Sequence, residues 1–577
     1  MALQKILSEL QISSTELCNL CFQAVEGKEG YFCCNLCNVQ RKKSNGFSNL
    51  VSHLEDKHIN DLKDFINKET SNKSGPLNTF LRPLSKDAKN LHGWIEWIVM
   101  GDLPQLFVED TYTKRYTKLE SISRHTLQKY MEEVLHEVQD EITKELPTSF
   151  GIMFDGWSCG GEHYIGVYAT WVNVSGGVTK ILLACGVQDI PTEDDEINEV
   201  GFTAEDIGDY LFDVLARYNK GFDAIEFIVG DNASVNRLLA NRISEWLRAN
   251  KNISRAVPLI GCASHKLNLA VQSLYKSVTR EHEVVEKVHK LMVELGTLKN
   301  RMKLRAKTHL CPIKRNDTRW GSVFAMLKRY LDIYQHLPSC NFSRSTRTMF
   351  LNTEDHYVIE ELVDNLYKCE RASIFLQTDD ALKVNLLSTR VAFDKLIMEV
   401  PTLSSYLAPD ASIVHCPIFE SAVVKLQMGD ENLSVEEART VEIFKSAAEA
   451  TSVVAPPDEA KTYEDELQRA VEARKAGKTQ GHKYRSTFHI SPTSNDVERL
   501  FSRAGIITSP RRRQMDPSTV EMFLMLRVNK HLWTEGTLQN IVDKNKAAAR
   551  DAAIERSKRK RTEVNVVNDS EGDFETV

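Results

Sequence analysis

Between residues 149 and 187 the apolar positions fall into three short runs, GIMFD (151–155), YIGVYATWV (164–172) and VTKILLACGV (178–187), each bounded by Gly, Asn or Asp. That texture predicts a three-stranded antiparallel meander. A helix-like segment over 204–218, the strand EFIVG (226–230), a helix over 235–247 and the strand VPLIG (257–261) running into the helical LNLAVQSL (267–274) come next. Upstream, residues 84–146 follow a helical period, with Trp94, Trp97 and Ile98 near one face and a second amphipathic run over 127–142. From about 271 to 483 the pattern is amphipathic and helical throughout, far too long for a loop inside a compact domain, so it predicts a helical domain of its own. Helical periodicity returns over 491–533, with Pro492, Ser494 and Asn495 as start signals before VERLFSRA. The charged tail after Lys544 is expected to be disordered.

These elements describe an α+β multidomain chain: a cysteine-rich module at 14–62, a linker at 63–83 around the polar TSNKSGP, and a helical domain at 84–146. A mixed α/β core follows in two parts, 147–270 and 484–535, interrupted by an all-helical insertion at 271–483 and followed by the tail at 536–577. The order βββαβαβα is that of an RNase H-like core. No internal repeat is visible. No apolar run approaches the roughly 18 residues of a membrane span, and the start MALQKILSEL lacks the order of a signal peptide. The expectation is an intracellular, soluble protein with no membrane partner.

A net charge of −7 argues against binding nucleic acid by bulk charge, but its distribution changes that picture. Basic residues cluster at 41–43, 299–319, 511–513 and 558–561, while acids concentrate at 193–199 and in the last residues. The 12 cysteines are sparse except near the N-terminus, which suggests metal ligands or buried thiols in preference to a disulfide framework. Cys34-x-x-Cys37 is followed by His53 and His58, with a basic and polar stretch between the pairs. Two thiolates on a hairpin and two imidazoles on one helical face satisfy tetrahedral Zn2+, so a small ββα-type zinc finger is predicted. Cys33 could replace Cys34 in a looser spacing. Cys18-x-x-Cys21 could be a second half-site, although apolar packing suits it better.

Asp155 ends the run GIMFD and Asp231 ends EFIVG, which puts both at strand ends of one sheet, facing a shared edge. Carboxylates so placed suit a pair of divalent cations about 3.5 to 4 Å apart in phosphoryl transfer. Taken singly, each has a plainer reading: Asp231 as a cap of the following helix, Asp155 as a turn residue.

The sequence over 17–60, with its aromatic residues, Cys pair, SNL and HLEDKH, resembles the BED-type zinc finger, a DNA-binding module. Further along, DGWS, GDNAS, GCASHKLNL, NDTRWGS and SNDVERLFSRAG occur in the order and approximate spacing of the hAT superfamily of DNA transposases, and together they cover most of the chain. The resemblance implies that Asp155, Asp231 and Glu498 are a catalytic triad on Mg2+ or Mn2+, with Glu498 carried back to the sheet after the insertion. It also implies that His265, in Cys262-x-x-His265, lies near the scissile phosphate, and that Trp320, after Arg319, stabilises a flipped base. Stacking of that kind is worth about 1 to 3 kcal/mol per base. Residues 494–533 resemble the hAT C-terminal dimerisation region, where Val520, Phe523, Leu524, Leu526 and Val528 could serve a dimer or an ordinary core. Arg511 to Arg513 fit a DNA-facing patch or a solvated turn equally well.

The expected function is therefore metal-dependent DNA strand cleavage and transfer, with DNA (element ends and target) and a second copy of the chain as partners. The alternative is a domesticated, zinc-finger DNA-binding regulator without cleavage. A cellular RNase H-like nuclease explains neither the zinc finger nor the C-terminal motif. A DNA substrate implies the nucleus, and Lys558 to Arg561 offers an import signal. Replacing those four residues with Ala should cut nuclear accumulation of a tagged protein several-fold in microscopy, and unchanged import would remove the tail from that role.

Overall fold

The computed structural model describes residues 17–18, 21–24, 31–37, 39–42, 48–59, 62, 84–187, 203–276, 279–316, 320–445, 462–475, 483–508 and 515–570, leaving aside the side chains of 24, 48, 475 and 557–570. Arg319, Arg511 to Arg513, the acidic run at 193–199, the linker motif at 70–76 and the side chains of Lys558 to Arg561 lie outside it. Contacts divide the chain into two units, one of Met1–Glu141 with Asn529–Val577, the other of Ile142–Val528.

The N-terminal module has three antiparallel strands, β1 (Phe22–Ala24), β2 (Tyr31–Cys34) and β3 (Gln40–Lys42), followed by helix α1 (Ser48–Lys57). The sequence reading of two strands missed β1, a three-residue strand paired to β2 from Phe22↔Cys34 to Ala24↔Phe32. Leu17, Cys18, Cys21, Phe22, Cys34, Leu50, Leu54 and Leu62 form its entire buried core. So few apolar side chains cannot offset the entropy of ordering the module without a further cross-link.

Helices α2 (Lys86–Met100) and α3 (Arg124–Glu145) follow. Ser85 caps α2 by accepting the Ala88 N–H at 3.2 Å, and Trp94 is fully buried with its Nε1–H donated to the Glu120 carbonyl at 2.8 Å. Trp97 stacks on Trp94 but stays 40% exposed, so it does not share the buried face assigned to it from the sequence. The tail expected to be disordered is instead a helix, Glu535–Ser570. Its first turns bury Leu538, Ile541 and Val542, and Lys544 and Asn545 reach Glu137 and Glu133 of α3 at 2.5 and 2.8 Å. Those three apolar positions at helical spacing, together with the buried Trp533, are the signal that the charge-rich composition masked.

In the second unit five strands form one sheet: β4 (Phe150–Cys159), β5 (Glu162–Val172), β6 (Val178–Val187), β7 (Ile225–Gly230) and β8 (Leu259–Gly261), in the order β6-β5-β4-β7-β8. The meander β4-β5-β6 is antiparallel, as the sequence predicts, while β7 and β8 run parallel to β4. Gly160 and Gly161 make the β4–β5 turn at φ of 67° and 93°, a conformation that a side chain would strain. Helix α4 (Ala204–Arg217), started by a Thr203/Asp206 capping box, precedes β7, α5 (Ser234–Lys251) joins β7 to β8, and α6 (Ala263–Lys276) leads out of the sheet. The central strands are buried on both faces, which is why their sequences read as continuous apolar runs.

Helices α7 (Arg280–Leu295), α8 (Trp320–Tyr334), α9 (Thr353–Leu376), α10 (Leu386–Glu399), α11 (Pro417–Gln427) and α12 (Tyr463–Lys475) make the insertion, and most of its buried side chains pack with those of α6 in one apolar core. The chain then returns to the sheet as α13 (Asn495–Ile507) and α14 (Pro517–Val528). Its return path is fixed by Glu226 of β7, whose side chain is fully buried. Glu226 accepts hydrogen bonds from Ser149 Oγ at 2.6 Å and from Arg485, and pairs with His489 Nε2 at 2.9 Å. Burial alone would raise this carboxyl, but His489, Arg485 and Ser149 hold it below the usual carboxylate range. The segment is further tied by Thr170 Oγ1 to the His489 carbonyl (3.2 Å) and Gln427 Nε2 to the Thr487 carbonyl (3.0 Å).

Removing a buried partner leaves its counter-charges uncompensated, so Glu226→Ala should destabilise this unit by about 3 kcal/mol, seen as a lower urea midpoint. A depressed carboxylate contributes stability above its unfolded pKa and loses it as pH falls through the folded value. The wild type should therefore lose this contribution below about pH 4.5 while Glu226→Gln does not, and equal acid sensitivity of the two would contradict the assignment.

Candidate functional site

Asp155 lies in β4 opposite Gly166 of β5, and directly opposed residues of an antiparallel pair present their side chains to the same face. On that face α13 packs against the sheet. A Cβ built on Gly166 would meet Val497 Cγ1 at 2.9 Å and Leu500 Cδ2 at 3.0 Å, so only a glycine lets the helix carrying Glu498 come this close. Two residues beyond Asp155, Trp157 stacks on Phe501 with ring centroids 5.7 Å apart. Two further on, Cys159 Sγ meets Thr508 Oγ1 at 3.5 Å. The end of β4 and helix α13 thus run side by side, with Asp155 and Glu498 at the start of the shared stretch.

Asp231 follows β7 immediately. Since Met153 pairs with Val229 in parallel register, Asp231 falls level with Asp155 on the neighbouring strand. Its Oδ1 accepts the Ala233 N–H at 3.0 Å and the Asn236 side-chain amide at 2.6 Å, so the turn reading weighed for Asp231 is correct and orients the carboxylate as well. All three acids are partly exposed. Burial, with the charges of Asp231 and Glu498, pushes the Asp155 carboxyl up to about 7 against a hydrogen bond from the Gly156 N–H. That mutual repulsion is the electrostatic mark of carboxylates gathered at one edge. They are not drawn as tight as a closed metal site: among the described residues the group that could hold an ion is the finger's Cys34, Cys37, His53 and His58.

Cys262 is the joint between the three acid-bearing segments. Its N–H donates to the Gly230 carbonyl at 2.7 Å, its carbonyl accepts the Asn232 amide at 3.3 Å, and its sulfur accepts the Ser494 N–H at 3.4 Å. Next to it the Ala263 N–H donates to the Pro492 carbonyl at 2.8 Å. Burial raises the thiol, with Glu498 adding to the effect, so Cys262 is a neutral packing residue as its plainer reading had it. His265 stands partly exposed on the first turn of α6. Sequence reasoning did not single out Gly166, Trp157, Phe501 or Asn236, although each sits inside or beside the quoted motifs.

Two expectations are corrected. Trp320 is only 6% exposed, packed at the start of α8 in the helical core with Phe324, so its indole offers no open face to a base in this conformation. Val520, Phe523, Leu524 and Leu526 are buried within the chain, where α14 packs on β6, and they are ordinary core; Val528 is half-buried.

In the finger, Cys34 ends β2, Cys37 lies in the β2–β3 turn, His53 is on α1 and His58 just beyond it. The four ligand atoms lie within 4.8 Å of one another, and Cys37 Sγ approaches His53 Nε2 to 3.3 Å. A tetrahedron with Zn–S near 2.3 Å and Zn–N near 2.0 Å has an S···N edge of roughly 3.6 Å, close to that spacing. His58 Nε2 is buried with no hydrogen-bond partner, an orphan that a cation would satisfy. Strand alternation turns Cys33 away from the group, and Cys18 and Cys21 belong to the apolar core, at 1% and 0% exposure.

No protein-family model matches this chain, and no curated protein is detectably similar to it.

Zinc binding should supply most of the finger's stability, of order 10 kcal/mol in comparable modules. Cys37→Ser should abolish stoichiometric zinc in elemental analysis. A 1–70 fragment that kept a dispersed amide spectrum in excess chelator would show that the four residues are not a structural zinc site.

Proposed function

We propose that this protein is a DNA transposase of the hAT type, with an RNase H-like core that cleaves and transfers DNA strands and a zinc finger of the BED type that binds DNA. The observation that carries the proposal is the convergence at one sheet edge of Asp155, Asp231 and the helix bearing Glu498, held there by Gly166 and the Trp157–Phe501 stack. The strand order, an antiparallel meander extended by two parallel strands, supports the RNase H-like reading, as does the placement of the acids on adjacent central strands. Mg2+ or Mn2+ held by these carboxylates would activate the attacking oxygen and stabilise the leaving one. The chain's own part is to hold three negative charges together before any cation arrives, and the raised Asp155 carboxyl records that cost.

A second reading, a DNA-binding regulator without cleavage, is favoured by the burial of Trp320. The two separate in one assay. Asp231→Asn should abolish metal-dependent cleavage of labelled element-end DNA, at least 1,000-fold in rate on the scale of losing a principal transition-state group, while finger-mediated binding persists. Equal cleavage by both proteins would sink the three-acid site; binding without cleavage by the wild type would select the regulator. The metal-free Asp155→Asn protein should also melt no lower than wild type above pH 7, because a raised carboxyl costs stability as it ionises, and the difference should vanish below about pH 4.

A further inference from the structure

Beyond Asp231, on the side where the insertion meets the sheet, lies a polar cluster that the three-acid reading does not use. Arg237 is on the first turn of α5, next to the Asn236 that holds Asp231. Its Nε–H donates to His415 Nδ1 at 3.0 Å. His415 lies just before α11, whose docking is fixed by Lys266 of α6 pairing with Glu420 at 3.1 Å and by the Leu259 N–H of β8 donating to the Cys416 sulfur.

An arginine can only donate, so His415 Nδ1 must accept, and the proton of the neutral ring sits on Nε2. Burial, with Arg237 and Lys266, pushes the imidazole down to about 4 against the pull of Asp231, so the ring is neutral at physiological pH. Nε2 is therefore an N–H donor, buried and with no acceptor. An unused buried donor costs about 1 to 3 kcal/mol and marks a group awaiting a partner. The guanidinium of Arg237 is exposed, and its two terminal nitrogens have no acid partner among the described residues.

We infer that His415 Nε2–H and the Arg237 guanidinium form a binding site for one backbone phosphate of DNA beside Asp231, which seats the strand at the acid edge. The inference rests on the DNA-enzyme reading and adds to it a strand contact supplied jointly by the insertion and the core. A guanidinium matches the paired oxygens of a phosphodiester, and a neutral imidazole adds a directional donor without added charge. Arg237 is a binding residue here, and His415 both binds and orients it.

The test is equilibrium binding of a 20-base-pair duplex to the full-length protein across a salt series, with Ca2+ in place of Mg2+. Arg237→Ala should weaken binding about 10-fold at physiological salt and reduce the slope of log K against log salt by about 0.9, the loss of one phosphate contact. His415→Phe should weaken binding about 5-fold with the slope unchanged, because a neutral donor releases no counterion, and His415→Gln, which keeps an N–H, should recover most of that loss. Wild-type affinity and slope in both Arg237→Ala and His415→Phe would overturn the site. Should His415→Phe fail to fold, Arg237→Ala decides, since its side chain is exposed. A wild type that binds no duplex at all would instead remove the DNA-enzyme reading, a result that needs no variant.

Discussion

Everything at the acid edge depends on bringing the chain back from a long helical excursion to the same face of the sheet that holds Asp155. The buried Glu226 carboxylate is the fixed point of that return. It belongs to a central strand, and it can be buried as an ion only because Arg485, His489 and Ser149 are all in place around it. Once 483–494 is anchored there, the Ser494 N–H reaches the Cys262 sulfur, and α13 starts at a set position and direction. Lys180 and Arg499 on either side of Asp496, at 2.7 and 2.6 Å, then fix the rotation of that helix.

The second requirement is room. Helix and sheet normally stand about 10 Å apart because side chains fill the gap, and a carboxylate on the helix then cannot share a site with one on a strand. Absence of a side chain at Gly166 removes part of that filling beneath Val497 and Leu500. A comparable economy operates at Gly261, where a Cβ would sit 1.9 Å from Asn232 Oδ1, so the turn after Asp231 folds directly onto β8. Close approach at these two glycines places side chains of β4, the β7–α5 turn and α13 within electrostatic reach of one another.

The sheet was legible in the sequence because its strands are buried on both faces and bounded by turn residues, which leaves short unbroken apolar runs. Asp155 and Asp231 were legible because each closes such a run. Glu498 was not, on periodicity alone: it sits on an amphipathic helix like any other, and only the resemblance to hAT transposases marked it. The finger's ligands were visible from their spacing, whereas β1 was hidden by its length of three residues. Trp320 shows the opposite failure, a residue marked by resemblance whose surroundings here are apolar. The C-terminal helix was obscured because charge dominates its composition while three buried residues decide its fate. Arg237 and His415 left no trace at all, since 178 residues separate two groups that meet only when the insertion docks.

Discontinuity of the sheet unit also has a temporal side. Asp155 and Asp231 leave the ribosome with most of the sheet, but Glu498 is made only after the whole insertion. At roughly 5 to 20 residues per second that delay is about 13 to 50 s. Throughout it the two early carboxylates stand without the third, and without the return segment that orders it. A nascent chain tethered near nucleic acid is therefore incapable of assembling the full set of acids until the helical insertion has been synthesised and has docked.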